Sequence, residues 1–111
     1  MILSMERESL PRELRPFVDD RGRLKSWPAR LKVQRMACVL LAERFGTGRE
    51  YSENEANALL MDAHIFADWA LLRRSLVDWG FLDREPDGTR YRRRADAPET
   101  FEALEMRFAG R

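Results

Sequence analysis

Few side chains in this sequence are equipped for catalysis. His64 is the single histidine, and with Asp62 and Asp68 it forms a local set whose types could ligate a metal ion. A turn histidine beside carboxylates that cap helices accounts for the same residues without a ligand, so no metal and no cofactor is expected. The sequence has no Gly-x-Ser-x-Gly elbow, no glycine-rich loop able to cradle phosphates, and no pair of ligands at metal spacing. Cys38, the lone cysteine, lies in an apolar stretch, where burial raises a thiol's pKa and leaves it unreactive. These residue types point away from an enzyme.

What remains is cationic chemistry. The net charge is only +1, but it is unevenly spread: residues 1–48 carry ten basic and six acidic side chains, and residues 49–83 carry three and seven. Residues 84–94 carry five and two, and residues 95–111 two and four. A polyanion would therefore meet the first and third segments. The run Arg21, Arg23, Lys25, Arg30, Lys32, Arg35 holds six cations and no acid, and a second cluster is Arg90, Arg92, Arg93 and Arg94. A solvated charged face explains such runs as readily as a binding surface does.

The elements that must position these charges follow from periodicity and punctuation. At 111 residues, 44% hydrophobic and 35% charged, with three Trp and six Phe, the chain is expected to fold as one domain around one core. Residues 10–18 suit a short helical turn, 19–22 a chain reversal, and 23–27 an extended segment that Pro28 closes by opening a helix. That helix should run over 28–45, with Val33, Met36, Ala37, Leu40 and Leu41 at helical spacing and Gly46 and Gly48 as the stop. Ser52 to Glu55 match a capping box, which predicts a second helix over 53–61 with Ala56, Leu59 and Leu60 inward. Asp68 caps a third, whose Trp69, Leu72, Leu76 and Trp79 make an apolar stripe that Gly80 ends. Residues 81–85 and 89–93 flank Pro86-Asp87-Gly88 and predict a β-hairpin around Asp87-Gly88, able to pair with a short strand near Tyr51. Pro98 opens a last helix with the stripe Phe101, Leu104, Phe108. This order predicts an α+β winged helix with an additional C-terminal helix: an extension at 1–22, the winged-helix domain at 23–94, and the last helix at 95–111.

In that architecture the third helix enters the major groove of DNA and the hairpin wing touches backbone. With Leu72, Leu76 and Trp79 inward, about 100° per residue turns Ala70, Arg74, Val77 and Asp78 outward and sets Arg73 on the flank. With Asp87-Gly88 as the turn, Glu85 faces Arg90 and Asp83 faces Arg92, so two wing arginines are expected to pair across the strands. The candidate nucleic-acid contacts are thus Lys25, Lys32, Arg73, Arg74, Arg93 and Arg94. Glu53, Glu55 and Asp62 of the second helix would repel phosphates.

Leu24 to Pro28, Tyr51-Ser52-Glu53-Asn54-Glu55-Ala56-Asn57, Leu72-Arg73-Arg74-Ser75-Leu76-Val77-Asp78-Trp79-Gly80-Phe81-Leu82-Asp83-Arg84 and Tyr91-Arg92-Arg93 carry a family likeness. Over residues 23–93 the sequence resembles the bacterial domain of unknown function family number 2087. The resemblance implies a winged-helix-like domain, found alone or attached to regulators of the arsenic-repressor type, and so a setting in transcription control; it carries no activity. The family pattern has two acids and an aromatic before the Leu-Arg-Arg run, whereas Phe66-Ala67-Asp68-Trp69 here lacks one acid.

Two binding roles stay open on these grounds: a DNA-binding module linked to transcription regulation, and a protein-interaction winged helix that homodimerises without nucleic acid. For the second, Phe66, Leu71, Val77 and the stripe Phe101, Leu104, Phe108 are the candidate contacts, the stripe pairing with its copy about a two-fold axis. Docking of that stripe on its own domain is the plainer alternative. A lone cysteine, an apolar N-terminal stretch too short for a signal peptide, and the lack of a run approaching ~18 apolar residues give a cytoplasmic expectation.

Overall fold

A computed structural model describes residues 7–108. Its core begins before the first long helix. Single turns of 3-10 helix at Arg7–Ser9 and Arg15–Phe17 carry Leu10, Leu14 and Val18, four residues apart, into the interior. The chain then reverses so that Val18 and Leu24 form an antiparallel bridge. Asp19 closes the reversal: its carboxylate accepts from the backbone N–H groups of Arg21 (2.9 Å) and Arg23 (2.8 Å) and from Nε of Arg23 (2.9 Å). Leu24 also stitches the start of the domain to its middle, donating its N–H to the Ala63 carbonyl while its own carbonyl accepts from Ile65.

Helix α1 spans Leu31–Ala42, shorter at both ends than the predicted 28–45. At its start Pro28 is buried ahead of the helix and its carbonyl accepts from the Gln34 side chain, so residues 28–30 stay outside. At its end Arg44 and Phe45 donate to carbonyls three residues back, a tightened turn that drops the Phe45 ring into the core. Strand β1, Glu50–Ser52, buries only Tyr51, whose hydroxyl accepts from the Gly46 N–H at 2.7 Å and whose ring meets Phe45 edge-on.

Helix α2, Glu53–Ala63, opens with both halves of the Ser52/Glu55 capping box in place. It runs two residues beyond the predicted end, and His64 caps it. Helix α3, Trp69–Asp78, starts at Asp68, whose carboxylate accepts from the Leu71 N–H. It stops by a Schellman arrangement: Gly80, at φ +83°, donates to Val77 and Phe81 donates to Leu76. Leu76 and Phe81 are both fully buried, so the bond that ends the helix also aims the chain into the sheet.

Strands β2, Leu82–Arg84, and β3, Arg90–Arg93, form the hairpin, and β1 adds to the outer side of β3, giving the antiparallel order β1-β3-β2. Asp83 opposes Arg92 as the sequence predicts, and Glu85 donates its N–H to the Arg90 carbonyl. The turn chemistry differs. Gly88 alone takes a positive φ and donates to the Glu85 carbonyl, which puts Pro86 and Asp87 at the corners in place of Asp87 and Gly88. Helix α4, Phe101–Phe108, starts three residues after Pro98 because the Thr100 hydroxyl accepts from the Ala103 N–H.

The described chain is therefore α+β, with four α-helices and a small three-stranded antiparallel sheet. Leu41, Phe45, Leu60, Leu72, Leu76 and Phe81 are fully buried where α1, α2, α3 and the sheet meet. No helix among the described residues is long and apolar enough to cross a membrane.

Candidate nucleic-acid interface

The stripe of α3 settles which of its side chains face outward. Leu72 and Leu76 are fully buried and Trp69 and Trp79 half-buried, leaving Ala70, Arg74 and Asp78 exposed. That outer face forms one wall of a groove of about 320 Å³, and the hairpin forms the other. Ala70, Arg73, Arg74, Val77 and Asp78 line it from α3, Arg84 and Tyr91 from β2 and β3.

Three arginines thus reach one groove, each held differently. Arg73 is half-buried: its guanidinium donates to the Asn57 side-chain carbonyl, lies 3.5 Å from the Glu53 carboxylate and sits 5.6 Å from the Tyr91 ring centroid. Arg74 is exposed, with no hydrogen bond or ion pair among the described residues. Arg84 faces Tyr91 across the hairpin and folds its guanidinium against Gly88, where a Cβ would come within 2.7 Å of Nη2. A glycine at 88 therefore serves twice, giving the turn its left-handed residue and Arg84 its resting place. Asp78 is the acid of the groove.

Arg84 was not among the residues picked from sequence. The signal was present: with Asp83 opposite Arg92, residue 84 must share a face with Tyr91, and Tyr91 is buried beneath α3.

The other predicted cations lie elsewhere. Lys25 is exposed. Lys32 pairs with Glu13 at 3.1 Å. Arg93 turns inward and donates to the Phe45 carbonyl at 3.2 Å. Arg94 pairs with Asp96 at 2.9 Å and Asp83 at 3.3 Å; its bonds to Asp96 and the two carboxylate charges hold its pKa above the ordinary arginine range. None of these four lines the groove.

The family model described as "Uncharacterized protein conserved in bacteria (DUF2087)" matches residues 23–93. The chain belongs to this family. No match to a curated protein or to a solved structure was found. The span shared with DUF2087 contains both walls of the groove, and it leaves out Leu10, Leu14 and Val18 and helix α4, all of which complete the core.

Helix α4 bears on the expected dimer contact. In this DUF2087 chain Leu104 is buried, Phe101 and Phe108 pack partly against the core, and α4 docks on α1. Phe108 meets Trp79 edge-on at 6.1 Å, and the Arg35 guanidinium lies over both rings. The stripe Phe101, Leu104, Phe108 therefore packs toward its own domain, where an eight-residue helix gains by burying its one apolar face locally.

The cross-strand charge pairs also differ from expectation. Arg90 and Arg92 both reach Glu50 on β1, at 2.9 and 3.9 Å, and Asp83 takes Arg94. The register is the expected one, but a third strand beside β3 offers the arginines another carboxylate.

His64 is structural in its bonding. It is buried, its Nδ1 lies 2.5 Å from the Leu60 carbonyl, and its Nε2 accepts from the Asp68 N–H at 2.8 Å. Those two bonds fix the tautomer with the proton on Nδ1 and join the end of α2 to the cap of α3. Asp62 pairs instead with Arg44, and no metal-binding group of three or more His, Cys, Asp or Glu occurs among the described residues. Cys38 is buried in α1, and burial pushes its thiol pKa far above the ordinary value.

Proposed function

We propose that this domain is a winged-helix module that binds duplex DNA in a setting of transcription control, with α3 in the major groove and the hairpin's inner wall against backbone. The element order α1-β1-α2-α3-β2-β3, with β1 beside β3, is the order of a winged helix, and α2 with α3 makes its helix-turn-helix. The observation that carries the reading is the convergence of Arg73, Arg74 and Arg84 on one groove between helix and wing. Guanidinium groups there can meet phosphate oxygens in bidentate fashion. The acids of α2 are a counterweight, but Glu53 is already drawn to Arg73. The competing role, a homodimerising interaction domain, has less to stand on because the α4 stripe is engaged within the chain.

Titration against random-sequence duplex DNA at two salt concentrations tests the proposal. If all three arginines release counterions, the log–log salt slope is about −2.7, so affinity falls about 40-fold between about 50 and 200 mM salt. Arg74→Ala with Arg84→Ala should reduce the slope to about −0.9. No binding at about 50 mM salt discards DNA as the partner.

A further inference from the structure

We infer that the exposed face of α3 reads a guanine flanked by thymine methyl groups; this rests on the DNA-binding reading above and adds to it what the site selects. The face differs from a simple basic strip. Arg73 is tied to Asn57 and Glu53 on α2, which suits it to hold position, whereas Arg74 is exposed and unpartnered among the described residues. A free guanidinium at the middle of a helix in the major groove is suited to grip O6 and N7 of guanine with two parallel bonds.

The groove wall also carries an apolar side chain before and after Arg74. Ala70, one turn earlier, is exposed, and Val77, one turn later, is half-buried. Such methyl-bearing side chains have no polar base edge to satisfy and match the one apolar group in the major groove, the thymine 5-methyl. At about 1.5 Å per residue these positions lie about 6 and 4.5 Å along the helix from Arg74. At about 3.4 Å per base pair that places the methyls one or two steps from the guanine.

Asp78 sets the polarity of insertion. Its carboxylate stands at the C-terminal end of the same face, where it opposes phosphates, so the stretch from Ala70 to the mid-helix Arg74 goes deepest. The same face argues against RNA, since the major groove of an A-form duplex is too deep and narrow for side chains to read.

The test is selection of the full chain on a random-sequence duplex DNA pool, followed by remaking an enriched duplex with deoxyuridine for thymidine. Enriched sites should share a guanine with thymine within two steps. Loss of the 5-methyl groups should weaken binding about fourfold per contacted thymine, the value of one buried methyl-sized group. Replacing the guanine should weaken it roughly 5- to 150-fold, and Arg74→Lys, which keeps charge but loses the fork, should erase most of that preference. Retention of the pool with a steep salt dependence but no shared sequence, or a deoxyuridine duplex that binds equally, overturns this inference while leaving DNA binding intact. A pool that is not retained at about 50 mM salt overturns both, through the failure of the proposed function.

Discussion

Two positions take the left-handed backbone conformation around α3, and they make a matched pair for experiment. Gly80, at φ +83°, ends the helix; Ala67, at φ +54°, precedes it and is the one non-glycine residue among those described with positive φ. For a residue with a Cβ that conformation costs roughly 1–2 kcal/mol, and glycine escapes it. Against this, glycine brings the unfolded chain about 0.4–1 kcal/mol of extra entropy. The balance predicts that Ala67→Gly stabilises by about 0.8 kcal/mol and that Gly80→Ala destabilises by at least as much. The second carries an added cost, since a Cβ at 80 would stand 3.0 Å from Nη2 of Arg107, which must shift. In a domain of this size those values move the melting temperature by roughly 3–6 °C in opposite directions. Thermal unfolding followed by circular dichroism, checked by urea midpoints at constant m, reads both. Shifts of the same sign, or a destabilised Ala67→Gly, would refute the assignment of strain to Ala67.

Arg35 joins three helices by lying 5.0 Å from the Trp79 ring centroid and 4.3 Å from that of Phe108, so Arg35→Met, which keeps the stem but removes the cation, should cost about 1–2 kcal/mol in urea unfolding; an unchanged midpoint would reduce the contact to packing. Burial by itself pushes the Asp19 carboxyl up, but the N–H groups of Arg23 and Arg21 and the Arg23 guanidinium outweigh it and leave the pKa below the ordinary aspartate value. A lowered folded value means the stabilisation is complete above about pH 4 and is lost as pH falls through the folded value. Asp19→Asn should therefore cost about 1 kcal/mol at neutral pH and lessen the acid-induced fall in melting temperature; an unaltered acid limb would remove Asp19 from the account.

Much of this arrangement is legible locally. The Ser52/Glu55 box, the Asp68 cap and the Gly80 stop each depend on neighbours within a few residues, and the stripe Leu72, Leu76 fixes which face of α3 is free. The hairpin register follows from the turn position even though Gly88 alone, and not Asp87, takes positive φ. What local rules do not reach is competition between distant partners. Arg90 and Arg92 turn to Glu50 because β1 lies against β3 some forty residues away in sequence, and Arg93 turns to a carbonyl at the end of α1. The charge count of residues 84–94 gave no sign that Arg94 would be spent on Asp83 and Asp96. Helix α4 illustrates the same limit: its stripe is visible in sequence, but whether it meets α1 or a second copy depends on a surface assembled by other elements.

The distribution of charge around the groove gives a direction of approach more than a strength of binding. Glu53, Glu55 and Asp62 are exposed on α2, Glu85 and Asp87 are exposed toward the hairpin tip, and Asp78 marks the far end of α3. A polyanion approaching across α2 or over the tip meets carboxylates first, and one approaching between them meets Arg74 with Arg73 and Arg84 on either side. The helix is held from three directions, by His64 at its start, by the Gly80 turn at its end and by Arg73 on its flank, so a ligand in the groove meets a surface already in place. Little ordering of α3 would then oppose binding, and affinity would rest on how well the few groups at its face match what enters.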